Sequence, residues 1–237
     1  KFEYKMEHQN VTKYTYGVPN TWSVGQEVCI AAHAVVMYDY LSMISDNLPD
    51  DALKRPAMGD HLSYFSTTVF EGGIITGGEY EGWCIDAGNS ILPYPYYTYY
   101  NPPDPDYTVN VFSSYGPDLD LVALTNVDNV DKMDMLNWVI NQDWLNIQSS
   151  CCLAFNKFDV QMAIWQLVDD DPPTYNGLWN WDRVAEIMAM AEKYGKGYVP
   201  SCDDFMAVIL EPTDQSQVTI IEMAVADLVD ECEATDE

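Results

Sequence analysis

Catalytic acid–base side chains are unevenly represented in this sequence. Only three histidines occur, His8, His33 and His61, so a His-based triad or zinc site would need a favourable fold, and ordinary structural histidines account for them better. The 38 acidic residues are so numerous that some must be neighbours in any fold, and no glycosidase-type carboxylate pair stands out. We therefore assign no catalytic residue and expect a protein that is not an enzyme.

Cysteine is the remaining reactive side chain, and its six copies form no Cys-x-x-Cys zinc spacing. An even number favours disulfides and an oxidising compartment, with reduced cytosolic thiols as the alternative. Because a bridge between adjacent cysteines strains the peptide between them, we expect Cys151 and Cys152 to have different partners, in at least two disulfides. The disulfide candidates are Cys29, Cys84, Cys151, Cys152, Cys202 and Cys232.

Several features indicate an extracellular or cell-surface location. The sequence begins at Lys1 without a charged and apolar leader, which is typical of a secreted chain after removal of its signal peptide. The longest apolar stretches, around Val28–Met37 and Phe205–Leu210, fall well short of the roughly 20 residues that cross a bilayer. Asn10 opens an Asn-Val-Thr sequon and is the N-glycosylation candidate.

The charge balance restricts the partners that the chain can bind. A formal net charge of −28 repels phosphate backbones and anionic headgroups, so we expect neither nucleic acid nor membrane insertion. Acidic clusters such as Asp104–Asp106 and Asp169–Asp171 could hold calcium, but none has the EF-hand spacing. We expect solvated surface charge there and no metal or other cofactor, with calcium as the exception that the composition permits.

The apolar periodicity predicts strands, then helices, then strands again. Without regular β-α alternation, this order predicts an α+β fold, a β-sandwich or barrel with a three-helix insertion at about 127–195, in one domain spanning 23–237. The helices are predicted with Asp159 as an N-cap and Gly195 as a C-terminal cap. The predicted strands are His61–Phe70, Ile74–Asp86, Tyr107–Tyr115, Phe205–Leu210 and Val218–Val225, and the predicted helices are Val127–Gln142, Asp159–Asp169 and Trp181–Tyr194.

Residues 1–22 are predicted to form a separate N-terminal arm with an extended strand. Charged and apolar residues alternate there, and residues 1–18 carry three lysines against two glutamates, unlike the acidic remainder. Such a strand either pairs within its own sheet or completes the sheet of a neighbouring copy. The donor-strand contacts would be Phe2, Tyr4, Met6, Tyr14, Tyr16 and Val18.

Two segments of the sequence, Tyr80–Asp86 around Cys84 and Val160–Trp165 around Gln161, carry motifs of potential chemical interest. In this order they resemble the aromatic-Cys-x-Asp strand and the Gln-x-Ala-Ile-Trp helix of the thioester-type (Cys-Gln, Thr-Gln-X-Ala) domains of extracellular surface proteins. Leu136–Gln142 resembles a further helix end, and Phe205–Glu222 resembles the closing hairpin, with Gln217 opening its last strand. The resemblance covers about residues 60–225.

The resemblance implies a specific reaction. In that family a Cys and a Gln side chain condense to an internal thioester, which a host amine attacks to give a covalent amide link. Carried over to this sequence, Cys84 would supply the thiol, Gln161 would be the acyl donor, and Trp83 and Trp165 would shield the bond from water. The alternatives are that Cys84 is a half-cystine or a small buried apolar residue and that Gln161 only bonds to neighbouring backbone.

Three functions follow from these observations. The first is an extracellular structural subunit of a filament or coat, in which copies of the chain assemble head to tail by N-terminal strand donation. The second is a covalent surface adhesin that uses a Cys84–Gln161 thioester against host surface amines. The third is a glycan-binding or hydrolytic module built on the tryptophans and the tyrosine-rich segment Pro93–Asp106.

Overall fold

The structure is a computed structural model that describes residues 44, 47–58, 63–91, 106–115, 119, 124, 127–151, 153–169, 173–174, 177–214 and 216–229. These residues lie in Val36–Glu237, one of the two units into which the chain divides. Several sequence predictions fall on other residues, among them the N-terminal arm and its boundary at residue 22. Outside the described residues are also Phe2, Tyr4, Met6, Asn10, Tyr14, Tyr16, Val18, Cys29, Cys152, Cys232 and the three histidines.

The described residues contain a closed antiparallel barrel of six strands. The strands follow one another around the barrel in the order β1-β2-β3-β6-β5-β4. Of the two architectures expected from the sequence, the structure shows the barrel, accompanied by helices. The strands are β1 (Asp51–Met58), β2 (Phe65–Glu71), β3 (Glu79–Cys84), β4 (Tyr107–Ser113), β5 (Phe205–Pro212) and β6 (Thr219–Ala224).

Three α-helices lie between β4 and β5 in the sequence, and a short one follows β6. The first helix contacts β5, the second contacts β3, and the third packs on the other two. Short 3-10 turns at Gly73–Ile75, Val130–Lys132 and Trp144–Asn146 complete the described elements. The helices are α1 (Met133–Ile140), α2 (Lys157–Val168), α3 (Trp181–Tyr194) and α4 (Val225–Leu228).

The alternation of side chains explains how the barrel buries its core. Along β2, Phe65, Thr67 and Val69 are buried and point into the barrel, while Ser66 and Thr68 between them are partly exposed. Strands β5 and β6 are instead buried on both faces, since their outward side chains, such as Ile209 and Ile220, are fully buried as well. The helices therefore cover one side of the barrel, next to β3, β5 and β6.

The start of α2 corrects the predicted cap. Asp159 was expected as the N-cap, but Asn156 takes that position, and its side chain accepts from the N–H groups of Phe158 and Asp159. Asp159 is the third residue of the helix, and its carboxylate accepts from the N–H of Asn156. The two side chains form a capping box, in which each satisfies an N–H that the helix leaves free.

Gly195 ends α3 as predicted, but packing rather than left-handed backbone requires it there. Its φ of −86° is open to any residue. A Cβ at this position would lie 2.8 Å from Ala191 O and 3.0 Å from the Cα of Met135. The glycine therefore allows the end of α3 to approach α1.

The barrel also bears on strand donation. Strand β1 was not predicted, and it closes the barrel by pairing with both β2 and β4. Each of the six described strands has a neighbour on both sides, so none offers the open edge that a donated strand would extend. The N-terminal arm lies outside the described residues, and strand donation stays a prediction.

Candidate functional site

Cys84 and Gln161 lie in direct contact. Cys84 is the last residue of β3 and is fully buried, and Gln161 is a buried residue of α2. The Nε2 of Gln161 donates to Cys84 O at 2.8 Å, and Cys84 N–H donates to Gln161 Oε1 at 2.9 Å. The structure thus brings together the two residues that the sequence motifs paired, but Gln161 bonds to the main chain of Cys84.

This arrangement follows from where β2 begins. The ladder between β2 and β3 reaches only to the pair of Phe65 with Gly82, so Cys84 extends beyond β2. A glutamine carboxamide offers the same donor and acceptor groups as a peptide unit, so Gln161 replaces the absent strand residue. Both polar atoms of the Gln161 side chain are therefore engaged with backbone.

The thiol of Cys84 points to the inside of the barrel, where it meets a second glutamine. Cys84 pairs directly with Thr219 of β6, and opposed residues of an antiparallel ladder share a face. Its Sγ donates to Oε1 of Gln217 at 2.9 Å, and Nε2 of Gln217 donates to Asp86 O at 2.5 Å. Gln217 lies just before β6 and is 7% exposed.

The contact between Cys84 and Gln217 is close enough for acyl chemistry. Since a carbonyl bond is about 1.23 Å long, the amide carbon of Gln217 lies at most about 4.1 Å from Cys84 Sγ. Reacting atoms in near-attack geometry are about 3 to 3.5 Å apart. Gln217 is therefore a second candidate acyl donor, whereas the side chain of Gln161 bonds to the backbone of Cys84.

The turn after β3 fixes the carbonyl that holds Gln217. The carboxylate of Asp86 accepts from the N–H of Asn89 at 3.0 Å and from its Nδ2 at 2.9 Å. The N–H of Ala87 donates to Asp169 at the end of α2, at 2.6 Å. These bonds restrain the turn, so the main-chain oxygen of Asp86 keeps its direction toward Gln217.

A buried lysine completes the polar cluster inside the barrel. Lys54 of β1 is fully buried, and its Nζ donates to Thr219 Oγ1 at 2.5 Å and, more weakly, to Leu210 O at 3.5 Å. Thr219 is the residue directly opposite Cys84. Lys54 is absent from the predicted site residues because strand β1 was not predicted, and the alternation of buried and exposed residues within β1 is the signal that would have placed it inside the barrel.

Burial dominates the electrostatics of this cluster. It raises the pKa of the Cys84 thiol well above its usual value, and the nearby Lys54 only partly opposes this. Burial also lowers the pKa of Lys54 to about 7, with Cys84 and Asp214 acting in the opposite direction. Near neutral pH the thiol is therefore protonated, while Lys54 can both take up and release a proton.

Two solved structures are similar to this chain. Both are thioester domains. One is the N-terminal thioester domain of a surface protein from Clostridium perfringens, with 10% identity and a TM-score of 0.42, covering 72% of this chain and 97% of the other. The second is the N-terminal thioester domain of the fibronectin-binding protein SfbI from Streptococcus pyogenes, with 14% identity and a TM-score of 0.41, covering 73% and 92%.

These are domains of the family that the sequence motifs resemble. No protein-family model matches the chain, and no curated protein does. With TM-scores below 0.5 and identities this low, the function of the chain has to be inferred from its own residues.

The two tryptophans expected to shield the site are both buried but lie differently. Trp83 points out of the barrel, on the face of β3 opposite to the thiol, and its Nε1 donates to Glu222 Oε1 at 2.6 Å. Trp165 lies one turn after Gln161 on α2 and packs edge-on against Tyr64. Trp83 therefore supports the strand from the helix side rather than covering the thiol.

The outward face of β3 borders a cavity of about 430 Å³, which is lined by residues of β3, β6 and α1. Glu81, Trp83 and Glu222 contribute to its wall. Burial raises the pKa of Glu222 to about 7, which the hydrogen bond from Trp83 partly opposes and the nearby Glu81 reinforces. An acid in this environment changes its charge near neutral pH.

The described cysteines differ in their state. Cys84 is a free buried thiol, so its interpretation as a half-cystine does not hold, because its side chain is enclosed by the barrel against Gln217. Cys151 and Cys202 are disulfide-bonded. The expected difference in partners between Cys151 and Cys152 stays a prediction, since Cys152 lies outside the described residues.

No helix in the described part of the chain combines the length and apolar character of a membrane span. Among the described residues, the cysteines and acidic side chains form no group of three that could hold a metal ion. Calcium binding by the remaining acidic segments stays a prediction.

Proposed function

We propose that Cys84 and Gln217 form an internal thioester and that the protein is a covalent surface adhesin. The observation that carries this proposal is the contact of 2.9 Å between Cys84 Sγ and Gln217 Oε1. The carboxamide is held from its other side by Asp86 O, and both side chains are buried. A thiol and an amide carbonyl held in this way need only a short approach of sulfur to carbon.

Closure of the thioester is a balanced exchange of one acyl bond for another. The sulfur of Cys84 attacks the carboxamide carbon of Gln217, the carbon–nitrogen bond breaks, and ammonia leaves with the proton of the thiol. The mass of the chain falls by about 17 Da, which is the mass of ammonia. Loss of ammonia to solvent favours the closed form.

Opening by an amine attaches the protein to its target. A primary amine attacks the acyl carbon of Gln217, an amide bond forms, and Cys84 is released as a thiol. Lysine side chains on a host surface are the proposed source of the amine. Each molecule reacts once and is not regenerated, so the protein is an adhesin and not an enzyme.

The proposed location is the cell surface, where such a reaction with a host partner can take place. The disulfide-bonded Cys151 and Cys202 support an oxidising compartment. Homopolymer assembly through the N-terminal arm and glycan binding have no specific contact among the described residues in their favour. We therefore rank the covalent adhesin first, ahead of the filament subunit.

Intact-mass measurement of the native protein tests the proposal directly. After allowance for disulfides, we expect a mass about 17 Da below that of the sequence, with no alkylation of Cys84 on denaturation. Methylamine should add its own mass to Gln217 and make Cys84 alkylatable. The matched variant Cys84→Ala should show neither the deficit nor the addition.

The thiol measurement separates a thioester from another ammonia-releasing bond. An isopeptide bond between Lys54 and Gln217 would give the same deficit, but it would leave the Cys84 thiol free and resist methylamine. A deficit of that kind, or a native protein at full mass, rejects the thioester.

A further inference from the structure

Lys54 is a costly residue to place inside a barrel. It is fully buried, it extends from β1 across the barrel to β6, and the ion pairs among the described residues do not include it. A buried ammonium without a carboxylate partner loses far more hydration energy than a hydroxyl group restores. Packing alone would be served better by a methionine or leucine at this position.

The hydrogen bonds of Lys54 fit the neutral amine. Two acceptors in the described part of the chain lie within reach of Nζ, namely Thr219 Oγ1 and Leu210 O. An ammonium has three N–H donors, whereas a neutral amine has two and a lone pair. Two acceptors therefore satisfy the neutral amine and leave its lone pair free to accept a proton.

The strand register places this amine beside the reacting pair. Thr219 is directly opposite Cys84, and opposed residues in an antiparallel ladder have Cβ atoms about 4.5 to 5.5 Å apart on one face. Gln217 lies two residues before Thr219 and meets the same thiol. The Thr219 hydroxyl, which contacts Lys54 Nζ, therefore lies in the layer of the barrel that contains the thiol.

We propose that Lys54, acting with the Thr219 hydroxyl, is the proton-transfer residue for the Cys84–Gln217 thioester, a role that rests on the function proposed above. During closure the thiol proton passes to Nζ, sulfur attacks the Gln217 carbon, and the ammonium returns the proton to the departing nitrogen, which leaves as ammonia. During opening the ammonium stabilises the departing thiolate and protonates it, and the proton lost by the attacking amine restores Lys54.

The electrostatics of the barrel interior support proton transfer both to and from Lys54. Burial lowers the pKa of Lys54 to about 7, so both protonation states are populated near neutral pH. Tyr107 on β4 is directly opposite Lys54, and the charges that act on Lys54 are those of Cys84 on β3 and of Asp214 in the exposed turn between β5 and β6. Cys84 and Asp214 raise the pKa of Lys54 and so keep the ammonium accessible when a thiolate forms.

The test compares the opening of the thioester in three variants of the whole chain, with methylamine as the probe. Lys54→Met removes the amine but fills its space, and Lys54→Arg keeps a charge that does not exchange protons at this pH. Lys196→Met, at an exposed lysine, is the matched control. Circular dichroism and a denaturation curve establish that each variant is folded.

We expect the wild-type opening rate, corrected for the fraction of free methylamine, to change near pH 7. In folded Lys54→Met and Lys54→Arg the thioester should be absent or should open about 100-fold more slowly without that pH dependence. Lys196→Met should match wild type. If Lys54→Met does not fold, Lys54→Arg and Thr219→Val decide the outcome, and both should be slow.

Different failures are distinguishable. A wild-type protein without the mass deficit rejects the thioester and this role together. A wild-type thioester that forms and opens with the same pH profile in Lys54→Met, or in Lys54→Arg, overturns the role of Lys54 and leaves the adhesin function in place.

Discussion

At the scale of single residues, the site is defined by the different tasks of two glutamines. Gln161 pairs with the main chain of Cys84, and Gln217 meets its thiol. Both are buried, and both are paired with Cys84, so proximity alone would not separate them. The two glutamines differ in the Cys84 atoms that they contact. An acyl donor must present its carbonyl group to the sulfur, and only Gln217 does so.

Substitution of each glutamine should therefore give opposite results. We expect Gln217→Ala to remain folded and lack the mass deficit of about 17 Da. Gln161→Ala should keep the deficit but lose roughly 2 kcal/mol of unfolding free energy, because it leaves the N–H and C=O of Cys84 without partners.

Intact mass and urea denaturation of the two variants measure these effects. Gln166→Ala, on the same helix and half-buried, is the control and should change neither quantity appreciably. A deficit that disappears in Gln161→Ala and persists in Gln217→Ala would restore Gln161 as the acyl donor.

At the scale of elements, α2 is the part of the molecule that positions the site from outside the barrel. Its side chains are buried over most of its surface, and its first turn is tied to α3 through a buried ion pair between Asp159 and Arg183. Asp159 Oδ1 also accepts from Asn180 N–H at 2.7 Å. Helix α2, which carries Gln161, is therefore held at its start by the ion pair of Asp159 with Arg183. At its end it is held by the hydrogen bond that Asp169 accepts from the N–H of Ala87.

Breaking the ion pair from one side should be strongly destabilising. Arg183→Leu leaves the carboxylate of Asp159 buried without its cation, so we expect a loss of roughly 3 kcal/mol in unfolding free energy. The double variant Asp159→Asn with Arg183→Leu removes the buried charge and should recover part of the loss.

Denaturation curves measure these differences, with Lys196→Met as a control for an exposed ion pair and an expected change below about 0.5 kcal/mol. Equal stability of Arg183→Leu and Lys196→Met would show that the buried pair does not hold α2 in place.

At the scale of the whole molecule, a net charge of −28 surrounds a barrel that contains a buried base and borders a buried acid. Lys54 lies inside the barrel, and Glu222 lies at its interface with the helices. Burial shifts both groups toward their neutral forms. The free energy of unfolding should therefore depend on pH through the buried side chains of Lys54 and Glu222.

Glu222 should make the protein less stable as pH rises. Its pKa is about 7 in the folded protein against an ordinary value of 4.5, so its stabilising contribution is present below about pH 4.5 and is lost as pH rises through about 7. Glu222→Gln imitates the neutral acid and should remove that loss. We expect equal stability near pH 4.5 and a more stable variant near pH 8, by at most about 3 kcal/mol, reduced by solvent in the cavity.

Urea denaturation at the two pH values measures the difference. Glu192→Gln removes the same charge from an exposed position and so controls for the long-range repulsion of an acidic protein. A Glu222→Gln effect that is the same at both pH values would mean that Glu222 is not protonated more readily in the folded state.

Much of the fold could be predicted because its elements carry local signals. The helix Trp181–Tyr194 has one apolar face and a closing glycine, and it was predicted to the residue. The hairpin of β5 and β6 follows from two apolar runs around a turn. Strand β1 was not predicted because Lys54, Arg55 and Pro56 at its centre have low strand propensity. Its extended conformation depends on pairing with β2 and β4.

The sequence by itself predicted that Cys84 lies close to Gln161, because their motifs resemble the paired strand and helix of thioester domains, and the two residues are in contact. Only the tertiary structure decided which glutamine meets the thiol and that Lys54 lies beside it. Strand register and the closing of the barrel join residues more than 130 positions apart, such as Cys84 with Gln217 and Lys54 with Thr219. No local pattern records such contacts, because they depend on which face of each strand turns inward when the sheet closes.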